Sequence, residues 1–275
     1  MLFSVACYEF VLVIFHRDLE DIVFRIFIIF SVLTLLPVDL ALACEKIPHD
    51  LRKILSKGSD LILVGELHGT NESPAKFYDI VCNLENLTSR KITVAFEFQD
   101  KNIMFLNGYN DLLDGVKSSS EWKLNHDGKT SVAMYELLQR IRALSEKNDL
   151  EVMFFDGEGD DRELLLAKNI YASVSNDRIV VVFTGNRHNQ IKHGNVWDEY
   201  SKNMGAYLTE MNVDLVSINL IHTGGKAWVC MDDCGIHEFK GVFTESEFFK
   251  ANEQSRYQYH WNIGPITYSV PMVRL

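Results

Sequence analysis

Five apolar runs punctuate the chain, and each has a glycine or an ionisable residue at or near its end. They are residues 61–64 (LILV), 92–98 (ITVAFEF), 150–155 (LEVMFF), 179–183 (IVVVF) and 213–221. Runs this short and this apolar suit strands buried on both faces. Helix-like segments separate them. Pro74 opens one that reaches about residue 87, with proline suited to a first turn. Residues 131–147 place Val132, Tyr135, Leu138, Ile141 and Leu144 on one face. Residues 101–116, 162–174 and 196–211 also read as helical, whereas 117–130 (KSSSEWKLNHDGKT) reads as a polar surface loop. Strand and helix in alternation predict an α/β fold, with a largely parallel central sheet and helices on both faces. After Thr223 the texture changes. Residues 226–231 and 266–270 read as short strands of a C-terminal antiparallel extension, and the aromatic stretch 257–268 reads as edge packing.

The first 43 residues stand apart. Residues 26–38 (IFIIFSVLTLLPV) are apolar, follow Arg25 and precede Ala41-Leu42-Ala43. This is the order of a secretory signal, and the stretch is too short to span a bilayer comfortably. Residues 1–43 are therefore expected to be a leader and 44–275 a single domain. The acidic residues before Arg25 fit a leader badly, which points to a start site placed too early or to an unusually long n-region. The chain is then expected to be secreted or periplasmic. Cys44, just after the small residues, also admits a lipid anchor, which would be the only route to a membrane. Cys44, Cys82, Cys230 and Cys234 remain after the leader, an even number that allows three pairings in an oxidising compartment. The closeness of Cys230 to Cys234 favours pairing those two and leaves Cys44 with Cys82.

Charge narrows the partners. The 275 residues carry 27 basic and 38 acidic side chains, a net charge of −11. No basic excess is present to neutralise a phosphate backbone, so no nucleic-acid partner is expected. A small molecule or a peptide is the expected substrate.

In an open parallel sheet the carboxyl ends of the strands meet at one edge, where ligands bind. Here those ends carry Gly65-Glu66-Leu67-His68-Gly69, Glu97, Asp156-Gly157-Glu158, Gly185-Asn186-Arg187-His188 and His222. Two imidazoles with a carboxylate can hold a divalent ion and acidify its water. Without a metal, histidine beside a carboxylate can serve as general base. Glu66, His68 and His188 are the candidate metal ligands. The candidate catalytic set adds Glu97, which sits between Phe96 and Phe98 and needs a partner, and Arg187, suited to an anionic group. His222 fits a strand cap as well as a functional role. Asp156 and Glu158 fit the acidic entry of the following helix.

The pair Gly65-Glu66-Leu67-His68 and Gly185-Asn186-Arg187-His188 resembles the paired Gly-x-x-His motifs of the erythromycin esterase-like, ChaN-like and Tiki (TraB) superfamily. The resemblance spans residues 61–222 and matches that superfamily's glutamates at Glu66 and Glu97. Erythromycin esterases have a longer spacing inside the first motif, so the chain departs from them there. The resemblance implies the α/β core and the site. The expected function is hydrolysis of an ester or amide bond with metal assistance. The alternative is a ChaN-like protein that binds haem or another small ligand without catalysis.

Overall fold

The computed structural model describes residues 44–99, 114–116, 118–194 and 198–274. The leader expected over 1–43 and most of the helix expected over 101–116 lie outside the described residues. Residues Cys44–Leu275 form one compact unit.

The elements follow one another as α1 (His49–Leu55), β1 (Leu61–Glu66), α2 (Glu72–Glu85), β2 (Lys91–Phe96), α3 (Ser120–Leu124), a 3-10 turn at Gly128–Thr130, α4 (Val132–Ser145), β3 (Leu150–Phe154), α5 (Arg162–Tyr171), β4 (Arg178–Gly185), α6 (Met204–Glu210), β5 (Leu215–Ile221), β6 (Gly224–Cys230), β7 (Cys234–Lys240), β8 (Phe248–Lys250) and β9 (Tyr259–Asn262). The main sheet has the order β3-β2-β4-β1-β5-β9-β8. All its pairings are parallel except β8 with β9. The strands β6 and β7 form a separate antiparallel hairpin.

Alternation along the strands sorts side chains onto two faces. Ile62, Val64, Val181 and Phe183 pack against α1, α2 and α4 through Leu51, Phe77, Val81 and Leu138. Leu61, Leu63, Val180 and Val182 pack the other way, against Leu166, Ile170 and Leu208 of α5 and α6. The expected α/β class is therefore the observed one, with helices on both faces.

Three segments differ from expectation. Residues 117–130 are not a plain surface loop, because α3 buries Trp122 against Phe98, with ring centroids 5.3 Å apart. The helix expected over 196–211 starts only at Met204. Residues 266–270 make isolated bridges instead of a strand: Ile266 to Gly225, and Tyr268 to Thr70. The strand beside β5 is Tyr259–Asn262, which runs parallel to it and carries β8 at the edge of the sheet. The C-terminal stretch also clasps the turn after β1. Ser269 N donates to Gly69 O at 2.9 Å, and Thr267 donates to the Glu72 carboxylate through its N at 2.8 Å and its Oγ1 at 2.6 Å.

Both expected disulfides are present, Cys44–Cys82 and Cys230–Cys234. The Cys44 sulfur is bonded to that of Cys82. The Cys44–Cys82 bond closes 38 residues of sequence separation and ties the segment before α1 to α2. Replacing both cysteines by serine is expected to cost about 2–4 kcal/mol in denaturant unfolding. Thiol titration of the denatured, non-reduced chain from Cys44 onward is expected to find no reactive thiol. Four thiols in protein taken from its native compartment would remove this pairing.

Candidate active site

Register brings the two glycine–histidine turns together. In the pairing of β1 with β4, Gly65 lies opposite Thr184 and Glu66 opposite Gly185. The strand β2 flanks β4 on its other side, with Phe96 opposite Phe183, which delivers Glu97 to the same edge. A cleft of about 340 Å³ opens there. Its walls include Glu66, His68, Asp127, Arg187, His188 and Cys230.

Glu66 and His68 form one pair. His68 Nδ1 donates to Glu66 Oε1 at 2.7 Å. The Glu66 side chain is 1% exposed and that of His68 27%. Burial pushes the Glu66 carboxyl up, against the bond from His68. Burial opposes the charged form of His68 as well, but the bond and charge of Glu66 outweigh it and hold the imidazole above its ordinary range. The Nε2 edge of His68 rests on Gly185: a Cβ added there would lie 2.9 Å from Nε2. Gly69 closes the turn at φ +73°, a conformation that favours glycine, and a Cβ there would meet Trp228 O at 2.0 Å. The His68 turn is therefore clamped against β6.

Glu97 and His188 belong to a second, saturated cluster. Glu97 Oε2 accepts from Thr184 Oγ1 at 2.6 Å and Gly185 N at 3.0 Å. Its Oε1 faces Arg162 Nη2 at 2.9 Å and His188 Nε2 at 3.2 Å. Burial would raise this carboxyl, but the bond and charge of His188, helped by His68 and Lys129, hold it well below the usual carboxylate range. His188 Nδ1 faces Glu163 at 2.8 Å. Burial disfavours its charge, yet the bonds to Glu163 and Glu97 push the imidazole up to about 9. At neutral pH His188 is therefore a cation, and its 3.4 Å approach to Arg162 Nη1 is a contact between two cations that share Glu97.

Arg162 also grips Asp156, through Nε at 2.9 Å and Nη2 at 2.7 Å. Lys129 extends the chain to Asp156 at 3.4 Å and Glu121 at 2.7 Å. Glu163 completes it by accepting from Met204 N, at the start of α6. Asp156 thus serves an ion cluster, more than a simple helix entry. Arg187 is exposed on the cleft rim. His222 stays outside the cleft walls and accepts from Gly224 N at 3.2 Å, in keeping with a strand cap. Sequence reading missed Arg162, Glu163, Lys129 and Asp127. One signal was available for Arg162: a cation in the first turn of a helix opposes the macrodipole and calls for a local anion.

The expected metal triad is not assembled. Among the described residues, no group of three or more His, Cys, Asp or Glu side chains is arranged to hold an ion. Both ring nitrogens of His188 face carboxylates, Glu97 and Glu163, and His68 Nδ1 is engaged by Glu66. Glu66, His68 and His188 as placed do not fit a divalent ion.

The sign of the His188 shift fixes a pH window. Its value is raised from an ordinary 6.5 to about 9, so its stabilisation is full below 6.5 and is lost as pH rises through about 9. The depressed Glu97 works in the opposite sense, and its stabilisation fades as pH falls through the acid range. The melting temperature is expected to drop between pH 6.5 and 9.5, and His188→Asn is expected to remove most of that pH-dependent drop. Glu97→Ala removes the carboxylate that Arg162 and His188 share and leaves the Thr184 and Gly185 donors without their acceptor; it is expected to cost about 3–5 kcal/mol in denaturant unfolding.

No protein-family model matches the chain, and no curated protein does. Solved structures do resemble it. One is a Bacillus cereus protein, 11% identical with a TM-score of 0.56, the match covering 80% of this chain and 91% of that one. A succinoglycan biosynthesis protein is 10% identical at a TM-score of 0.59, over 83% and 94%. An erythromycin esterase mutant in its open conformation is 9% identical at 0.54, over 85% and 93%. At such identities the likeness shows a common fold, broad enough to hold proteins of different descriptions.

Proposed function

We propose that the cleft catalyses hydrolysis of an ester or amide bond in a small molecule or peptide, with His68 as general base and Glu66 as its orienting carboxylate. The observation that carries this reading is the 2.7 Å bond from His68 Nδ1 to the buried Glu66, which leaves Nε2 as the ring's remaining nitrogen on the cleft side, beside Gly185. A carboxylate on one imidazole nitrogen fixes the tautomer and makes the other nitrogen the base. Neutral His68 takes a proton from water at Nε2 as the water attacks the carbonyl carbon. The imidazolium that forms is stabilised by Glu66, and the proton is returned to the leaving group. Arg187, exposed on the rim, would face the developing oxyanion or an anionic substrate group. Glu97 and His188 position the Gly185 turn and hold no reacting atom.

The erythromycin esterase among the similar folds supports a hydrolytic reading. The two disulfides support an oxidising home for the protein, and hence export.

A panel of p-nitrophenyl esters and chromogenic peptides tests the proposal. His68→Ala is expected to lower kcat by about 10²–10⁴-fold, and Glu66→Gln by a comparable factor through the wrong tautomer. Because base catalysis needs neutral His68, kcat/KM is expected to rise with pH through the raised value of that imidazole. Glu66→Gln is expected to move that limb to lower pH. Unchanged hydrolysis in His68→Ala would end the assignment.

A further inference from the structure

The two disulfides differ in almost every physical respect. Cys44–Cys82 spans 38 residues, and Cys82 is only 5% exposed. Cys230–Cys234 spans 4, and both its residues are exposed. The stabilisation gained by closing a loop grows with its length, so the second bond adds little to the fold as a whole. Its place in the structure gives it a local task. It pins the end of the β6–β7 hairpin, where Val229 pairs with Gly235 and Cys230 with Cys234. A two-stranded hairpin is marginal on its own. The other part of the hairpin is anchored: Trp228 N donates to Gly69 O at 2.9 Å, its indole Nε1 donates to His126 O at 2.8 Å, and Arg274 lies 4.6 Å from its ring. Beyond Trp228, the wall formed by Val229 and Cys230 borders the cleft and depends on the disulfide.

We infer that Cys230–Cys234 is a site of reversible thiol–disulfide exchange with small thiols, and that its reduction loosens the cleft wall beside His68 while the fold persists. A thiolate attacks one sulfur of the bond, the electron pair leaves on the other as a thiolate, and that thiolate takes a proton from solvent. A second thiol displaces the resulting mixed disulfide. The balance is two thiols oxidised to one external disulfide and two cysteines reduced. The turn between the cysteines is Met231-Asp232-Asp233, with both carboxylates exposed. Their charge favours neutral or cationic thiols over anionic ones. The exchange stands independently of the hydrolytic reading; only its effect on turnover rests on that reading.

The test uses the whole chain under a dithiothreitol series, with peptide mapping of each bond and circular dichroism of the fold. Cys230–Cys234 is expected to be half reduced at a reductant concentration at least about tenfold below that for Cys44–Cys82, with the fold intact. At equal thiolate concentration, cysteamine is expected to react faster than mercaptopropionate. That preference should shrink in Asp232→Asn/Asp233→Asn and at high salt. The ring signals of His68 in heteronuclear NMR, assigned with His68→Ala, are expected to shift on reduction in the wild type and to be indifferent to reductant in Cys230→Ser/Cys234→Ser. If hydrolysis is found, kcat/KM should fall about threefold or more, mainly through KM. Simultaneous loss of both disulfides with unfolding would overturn the inference. So would unchanged His68 signals, or an equal response to reductant in the double serine variant. A shift of His68 without any hydrolysis would instead retain the exchange site and count against the catalytic reading alone.

Discussion

The parallel pairing of β1 with β4 is the constraint on which the site depends. The pairing sets Glu66 opposite Gly185, and from that one register the rest follows. Gly185 becomes the surface on which His68 rests, its amide becomes a donor to Glu97, and the chain after it carries His188 back over the same carboxylate. A slip of one residue would turn every side chain of one strand to the opposite face, burying the wrong set and separating the two histidines. The apolar continuity of both strands does not choose the register by itself. In the observed alignment the groups at their ends meet partners: Gly185 N donates to Glu97, and Glu66 pairs with His68.

The two histidines look alike in sequence and are opposite in chemistry. His68 has one carboxylate partner and an edge on the cleft, so it has a proton to gain or lose within reach of a ligand. His188 is wrapped by Glu97 and Glu163 and is fixed as a cation. Buried charges persist where they are paired and hydrogen-bonded. The chain Glu121–Lys129–Asp156–Arg162–Glu97–His188–Glu163 meets that condition by alternating sign along its length. It joins α3, the 3-10 turn, β3, α5, β2 and β4 at one edge, so the floor of the cleft is held from several elements at once.

Much of this was legible in the sequence. The strand runs, the clear helix at 131–147 and the gathering of Glu66, His68, Glu97, Arg187 and His188 at one edge follow from periodicity and from the rule that parallel strand ends converge; the cysteine pairings follow from the even count and the closeness of Cys230 to Cys234. What was not legible depends on contacts between distant segments. Residues 117–130 are polar enough to read as loop, and nothing local reveals that Trp122 packs on Phe98 or that Lys129 reaches Asp156. The metal expectation failed to assemble for a related reason: sequence shows histidines and carboxylates together but not which are already spent on each other. The start of α6 is held by a distant contact: Asn203 makes no side-chain cap, and the first amide of the helix donates to Glu163 of α5.

The clasp of the C-terminal stretch on the turn after β1 bears on how the molecule is made. Gly69 O accepts from Trp228 N and Ser269 N, and Glu72 accepts from Thr267. Two of the residues that secure the His68 turn, Thr267 and Ser269, thus leave a ribosome some two hundred positions after the turn itself. While they are still within the tunnel, the first motif has its strand but not its clasp. The turn that carries His68 is therefore completed late in synthesis, and a product lacking residues 266–275 would keep the Trp228 bond to Gly69 while losing the bonds from Ser269 and Thr267.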